Sequence, residues 1–189
     1  MSKHVVVIAG IETVRDPDGH VKELSVTFVN NAKTIEYDEL KKGSAVTIID
    51  ARDHLKADNP IASLWAAIAA LPSVDTIYYS GHSGPTEMYV FSHVRKELSD
   101  EKRYFTEGDP YWRANYNKGA EIFLFGCQTS GTCGQRCDGT IAQDIANRSG
   151  CVVYGYASRT SQQKREDGRF YQRPDYPTLY KFTPKKIDK

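Results

Sequence analysis

The sequence predicts an α/β fold with a mostly parallel central sheet covered by helices, and three observations carry that expectation. Val5, Val6, Val7, Ile8 and Ala9, and again Ile122, Phe123, Leu124 and Phe125, are unbroken apolar runs without polar alternation, the pattern of strands buried on both faces. Stretches of helical periodicity, over 61–71 and from Ile141 onward, fall between strand-like runs. Strand, helix and strand in succession call for right-handed crossovers, which lay the strands parallel.

In chain order, the first apolar run is bounded by Gly10 and reads as a central strand. Asp16-Pro17-Asp18-Gly19 signals a turn, and Leu24, Val26 and Phe28 then alternate with polar residues, so a half-exposed strand follows. Another strand covers 45–49 and ends at Asp50. Ile61, Leu64, Trp65 and Ile68 stand at helical spacing, with Asn59 as N-cap, Pro60 at the first helical position and Pro72 closing the helix. Thr76, Ile77, Tyr78 and Tyr79 make a β-rich run that stops at Ser80-Gly81-His82-Ser83-Gly84-Pro85. The stretch 95–119 is polar and aromatic with no clean period, and the run 122–125 then ends at Gly126-Cys127. Asp138 or Thr140 caps a short helix carrying Ile141, Ala142, Ile145 and Ala146, and Gly150 stands where a helix end needs a left-handed residue. A further strand covers 151–157, and the polar, Arg-rich stretch 161–177 reads as a loop.

A chain of 189 residues suits one domain over 1–189, and 40% hydrophobic with 26% charged residues is an ordinary globular composition. The net charge of +1 supplies no field to gather nucleic acid or an anionic membrane, so neither is an expected partner. The opening apolar run is too short for a signal-peptide core or a membrane span. Cys127, Cys133, Cys137 and Cys151 crowd one part of the chain, unlike a disulfide framework, and a reducing, cytoplasmic location is the expectation. Export without a cleaved signal would instead let Cys133 and Cys137 pair locally.

His82 and Cys127 each follow directly after a buried strand, each beside glycine. If those strands are parallel neighbours, both side chains reach one edge of the sheet, where α/β folds gather their active sites. A cysteine attacks as its thiolate, and an imidazole supplies that state by taking the proton or by pairing with the sulfur as imidazolium. Histidine titrates near neutral pH, which suits the task. The bland readings are a small core cysteine at a strand end and a turn-capping histidine; joint placement, histidine 45 residues ahead of cysteine, favours the dyad. No cofactor is implied.

Strand-Ser-Gly-His-Ser-Gly followed by strand-Gly-Cys-Gln-Thr-Ser-Gly resembles the histidine and cysteine blocks of caspases, metacaspases and related bacterial peptidases. The separation is close to the ~50 residues by which histidine precedes cysteine in caspases. The likeness runs over roughly 74–158, from the strand before His82 through Cys151-Val-Val-Tyr-Gly-Tyr-Ala-Ser158. It implies a caspase-like three-layer αβα sandwich with a mostly parallel central sheet. It also implies a cysteine endopeptidase acting on a protein or peptide substrate, with Cys127 as nucleophile and His82 as general base. Such peptidases place glycine directly after the histidine, and its N–H joins that of the cysteine in holding the oxyanion; here Ser83 precedes Gly84, and either N–H is a candidate donor. A Ser83 side chain at that point crowds the substrate carbonyl, which motivates the alternative of a catalytically impaired caspase-like binding or scaffold module.

Two other chemistries compete. Ser83 as the nucleophile of an α/β-hydrolase elbow needs glycine where Pro85 stands and a histidine later in the chain, and only His93 follows. Cys127, Cys133 and Cys137 form C-x5-C-x3-C, which differs from the paired arms of common zinc modules and has no nearby histidine. Asp50 or Asp53 is available to orient His82. In the caspase-like arrangement the tail residues Arg165, Arg169, Tyr171, Arg173 and Tyr176 lie in a segment that touches substrate; otherwise they form a solvated surface.

Overall fold

The computed structural model describes residues 2–91, 94–106, 112–132, 135–137, 140–175 and 178–185. Its elements in chain order are β1 His4–Ala9, β2 Glu12–Arg15, β3 Val21–Ser25, α1 Thr27–Lys41, β4 Ala45–Asp50, α2 Pro60–Ala69, β5 Val74–Ser80 and β6 Glu87–Met88. After these come β7 Phe105–Thr106, β8 Tyr116–Leu124, α3 Ile141–Ser149, β9 Val152–Tyr156, β10 Thr160–Lys164, β11 Phe170–Pro174 and β12 Leu179–Phe182. His93, Cys133, Asp138 and Tyr176, which the sequence singled out, lie outside the described residues.

Six strands form the central sheet in the order β12-β9-β8-β5-β1-β4. Its neighbours pair in parallel except for β12, which runs antiparallel to β9 at the edge. β1 lies between β4 and β5, and Val5, Val6, Val7, Ile8 and Ala9 are each fully buried, as an unbroken apolar run requires. Its alternate residues serve two cores. Val6 and Ile8 join Leu64 and Ile68 of α2 and Ile141 and Ile145 of α3, whereas Val5, Val7 and Ala9 meet Val29 and Ala32 of α1. One face of the sheet therefore carries α2 and α3 and the other α1, an α/β arrangement compatible with a three-layer sandwich. No helix among the described residues is long and apolar enough to cross a membrane.

The helix ends follow their local chemistry. The Asn59 side chain accepts from Ala62 N–H at 3.0 Å, with Pro60 at the first helical position of α2. Gly150 ends α3 at φ +73°, a conformation that glycine adopts without a Cβ penalty. Thr140 occupies the N-cap position of α3, but its hydroxyl donates to the Cys137 carbonyl and leaves the helix without a side-chain cap.

Three parts of the structure differ from the sequence reading. Alternation through Leu24 and Val26 ends in β3, and Phe28 belongs to α1 rather than to that strand. The apolar stripe of α1 is thin because the helix also buries Asn31, Thr34 and Glu39. Glu39 is matched there by Lys42, Ser44 and the Tyr78 hydroxyl. The tail from Arg159 is no simple loop. β10 and β11 form an antiparallel hairpin, and β12 completes the sheet. The hairpin settles on α1 through polar contacts: Gln162 Nε2 donates to Thr27 O at 2.9 Å, Arg165 pairs with Asp38 at 2.7 Å, and Arg169 lies over the Tyr37 ring. Within 95–119, β7 pairs with β6, and β8 already begins at Tyr116.

Leu64 is fully buried in the core that supports β1 and β5. Leu64→Ala is expected to lower unfolding free energy by about 2–5 kcal/mol, measured as a shift of the urea midpoint at unchanged slope.

Candidate active site

β5 and β8 are adjacent and parallel, so the segments after Ser80 and Leu124 leave the same edge of the sheet. Pairing continues past the strand, with the Phe125 N–H donating to Tyr79 O at 2.9 Å. Gly81-His82 and Gly126-Cys127 therefore emerge side by side. A third neighbour joins them after β9, where Ser158 O accepts from Gln128 N–H at 2.9 Å. Gln128 has φ +56°, an uncommon conformation for a residue with a side chain, in the turn that presents Cys127.

The histidine and cysteine loops are joined directly. Ser83 Oγ donates to the Cys127 carbonyl at 2.7 Å. The closeness depends on Gly126, where an added Cβ would stand 1.9 Å from Ser83 Oγ and 2.7 Å from Ser83 Cβ. From below, the fully buried Tyr79 donates its hydroxyl to His82 O at 2.6 Å, and the Tyr89 N–H donates to the same carbonyl at 2.9 Å. Burial first, and then the charge of Cys127, push the Tyr79 phenol far above its usual range, so it remains a donor.

His82 is half-buried, and Phe28 of α1 meets its ring edge-on with centroids 4.9 Å apart. Burial lowers its pKa below the ordinary value of 6.5, and the Glu12 carboxylate offsets part of that. Glu12 opens β2 and accepts from Ser25 Oγ at 3.4 Å. Around Cys127 two polar groups of Thr160 lie close: its N–H donates to Sγ at 3.3 Å, and its hydroxyl oxygen lies 3.4 Å away. Between α1, the β10–β11 hairpin and Phe125 lies a cavity of about 760 Å³, with Asn31, Ile35, Tyr171 and Gln172 among its walls.

The sequence-predicted residues thus gather at one edge, with altered parts. The Gly84 N–H is committed to Glu87 O at 2.8 Å, so Gly84 does not serve as an oxyanion donor in this arrangement. The Ser83 N–H and the Cys127 N–H make no hydrogen bond within the described residues, and they are the donors left for that role. The Ser83 side chain, 7% exposed, turns into the Gly126-Cys127 backbone; its proton rests on a carbonyl rather than on a base, which does not suit an esterase nucleophile. Among the described residues, the group close enough to share a metal is Asp16, Asp18 and His20, and it contains no cysteine. Asp50 is occupied by Arg52 at 2.5 Å, and the charge acting on His82 is that of Glu12. Arg165 and Arg169 of the tail pair with Asp38 and Asp167.

Comparison of the chain with protein-family models, curated proteins and solved structures finds no match.

Two outcomes follow from this geometry. Gly126→Ala is expected to cost about 1–3 kcal/mol in thermal or urea unfolding, because Ser83 must move and lose its bond. Because folding lowers the pKa of His82, the unfolded chain binds a proton first as pH falls below 6.5, and stability drops through that window. His54, lowered by burial as well, contributes in the same direction. Urea titrations from about pH 7 to pH 5 should show a smaller loss for His82→Gln than for wild type.

Proposed function

We propose that the chain is a caspase-like cysteine endopeptidase in which Cys127 attacks a peptide carbonyl and His82 carries the proton. The observation that supports it best is the Ser83 hydroxyl bond to the Cys127 carbonyl, which fastens the histidine loop to the cysteine loop at adjacent strand ends.

His82 takes the Cys127 thiol proton as sulfur bonds to the carbonyl carbon, and the oxygen becomes an oxyanion facing the N–H groups of Ser83 and Cys127. The same proton passes from His82 to the leaving nitrogen as the C–N bond breaks, which leaves a thioester. Water then gives a proton to His82, attacks the thioester and releases the acid and the thiol. A lowered histidine pKa keeps the base-competent neutral ring present at neutral pH, which favours the general-base route over a standing ion pair. The acid limb of activity is expected below pH 6.5.

A second reading is a caspase-like binding module with an impaired site. The specific observation in its favour is the Gly84 N–H, held by Glu87 O and withdrawn from the oxyanion position.

A fluorogenic peptide library separates the two. Wild type is expected to cleave members of the library, while Cys127→Ala and His82→Ala fall by about a hundredfold or more. Cleavage that persists unchanged in Cys127→Ala, or none by wild type at any pH tested, contradicts the peptidase reading.

A further inference from the structure

A chain of polar groups outside the dyad runs through the interior and ends on the Cys127 sulfur. It starts at Asn31 of α1, 3% exposed, whose Nδ2 donates to Ser80 Oγ at 2.7 Å. The Oδ1 of the same amide accepts from the Gln172 backbone N–H at 3.0 Å, which fixes how the amide sits. Ser80, fully buried, donates from Oγ to Gln172 Oε1 at 3.4 Å. Gln172 Nε2 donates to Gly81 O at 3.3 Å and to Thr160 Oγ1 at 2.8 Å. A carbonyl only accepts, so Gly81 fixes the Gln172 amide in turn. Thr160 then presents both its hydroxyl oxygen and its backbone N–H to Cys127 Sγ, at 3.4 and 3.3 Å.

Proton counting gives this chain a direction. Each hydroxyl has one proton. The Ser80 oxygen receives from Asn31, so its own proton goes to Gln172. The Thr160 oxygen receives from Gln172, and its own proton goes to sulfur whenever sulfur carries negative charge, because a thiolate only accepts. The thiol proton has the Thr160 carbonyl as acceptor at 3.8 Å, which leaves the sulfur lone pairs to the two Thr160 donors. Donation therefore runs one way, from α1 through the β5 end and the hairpin to the sulfur. Hydrogen bonds to a charged acceptor are stronger than neutral ones, so both donors gain strength whenever sulfur carries negative charge.

The geometry points to Thr160 as a further catalytic residue that steadies the reacting sulfur, with Gln172 as the positioning residue that aims the Thr160 hydroxyl. This rests on the peptidase reading only in taking Cys127 as the nucleophile. Sulfur gains negative charge as His82 draws off its proton and again as it leaves the thioester, and the same two donors meet it at both moments. The hairpin thereby becomes part of the active site and not merely its border.

The test is alkylation of the full chain by iodoacetamide, with rates at Cys127 and at the exposed Cys137 read separately by peptide mass spectrometry. Thr160→Val keeps the side-chain shape and the backbone N–H and deletes the hydroxyl, whereas Thr160→Ser keeps the hydroxyl. Gln172→Met keeps the length and removes the amide donors. Thr160→Val and Gln172→Met are each expected to slow Cys127 labelling about five- to tenfold, with the Cys137 rate unchanged. Thr160→Ser is expected to stay within about twofold of wild type. The double variant Thr160→Val, Gln172→Met should lose no more than Thr160→Val alone, because both act through one hydroxyl.

Equal Cys127 rates in wild type and Thr160→Val overturn the proposal, and a double-variant loss equal to the product of the single losses overturns the part played by Gln172. Thr160→Val decides the claim by itself if Gln172→Met does not fold. Labelling needs no peptide cleavage, so the two readings can fail separately. A chain that cleaves nothing but shows these ratios refutes the peptidase and keeps the Thr160 assignment; a chain that cleaves peptides while labelling ignores Thr160 does the reverse.

Discussion

The hydrogen bond from Ser83 Oγ to the Cys127 carbonyl is the contact on which the rest of the site depends. Parallel pairing brings the ends of β5 and β8 to one edge, but pairing alone does not set the distance between the two loops that follow. The bond does, and it is possible because Gly126 offers no Cβ where Ser83 sits. Tyr79 holds the other side of the same loop through the His82 carbonyl. The serine that looked like an intrusion between histidine and glycine is therefore the fastening between the histidine loop and the cysteine loop.

The electrostatics of the edge follow from what covers it. α1 brings Phe28 against the His82 ring, and the resulting burial disfavours the charged imidazolium more than Glu12 restores it. The opposite side of the site belongs to the β10–β11 hairpin, which delivers Thr160 to the sulfur and is itself tied to α1 through Gln172, Asn31, Arg165 and Asp38. One helix thus sets the histidine environment directly and the cysteine environment through the hairpin. A base kept neutral and a sulfur met by donors are complementary halves of the proposed proton transfer.

What the sequence revealed and what it concealed have a common physical cause. β1 is legible because burial on both faces demands an unbroken apolar run, and α2 is legible because Asn59, Pro60 and the spacing of Ile61, Leu64 and Ile68 agree. The run 122–125 marks a strand as well, but one that buries Ile122 and Leu124 and leaves Phe123 and Phe125 half-buried on its other face. α1 was concealed because it buries Asn31, Thr34 and Glu39, polar residues whose partners come from distant elements. The hairpin was concealed for a similar reason, since polar contacts with α1 dock it and no apolar stripe announces it. In the site, His82 and Cys127 stood out through glycine neighbours at strand ends. Glu12, Thr160 and Gln172 are common residue types whose roles exist only through tertiary pairing; Thr160 lies 33 positions from the cysteine it touches, and Gln172 lies 91 from Gly81.

The most direct measurement of the central claim is the intact mass of the protein after incubation with a peptide carrying a thiol-reactive acyloxymethyl ketone. One adduct per chain, mapped to Cys127 and formed far more slowly in His82→Ala, is the result that a His82–Cys127 dyad predicts. An adduct that forms at the same rate without the imidazole, or that maps to Cys137 instead, would contradict it.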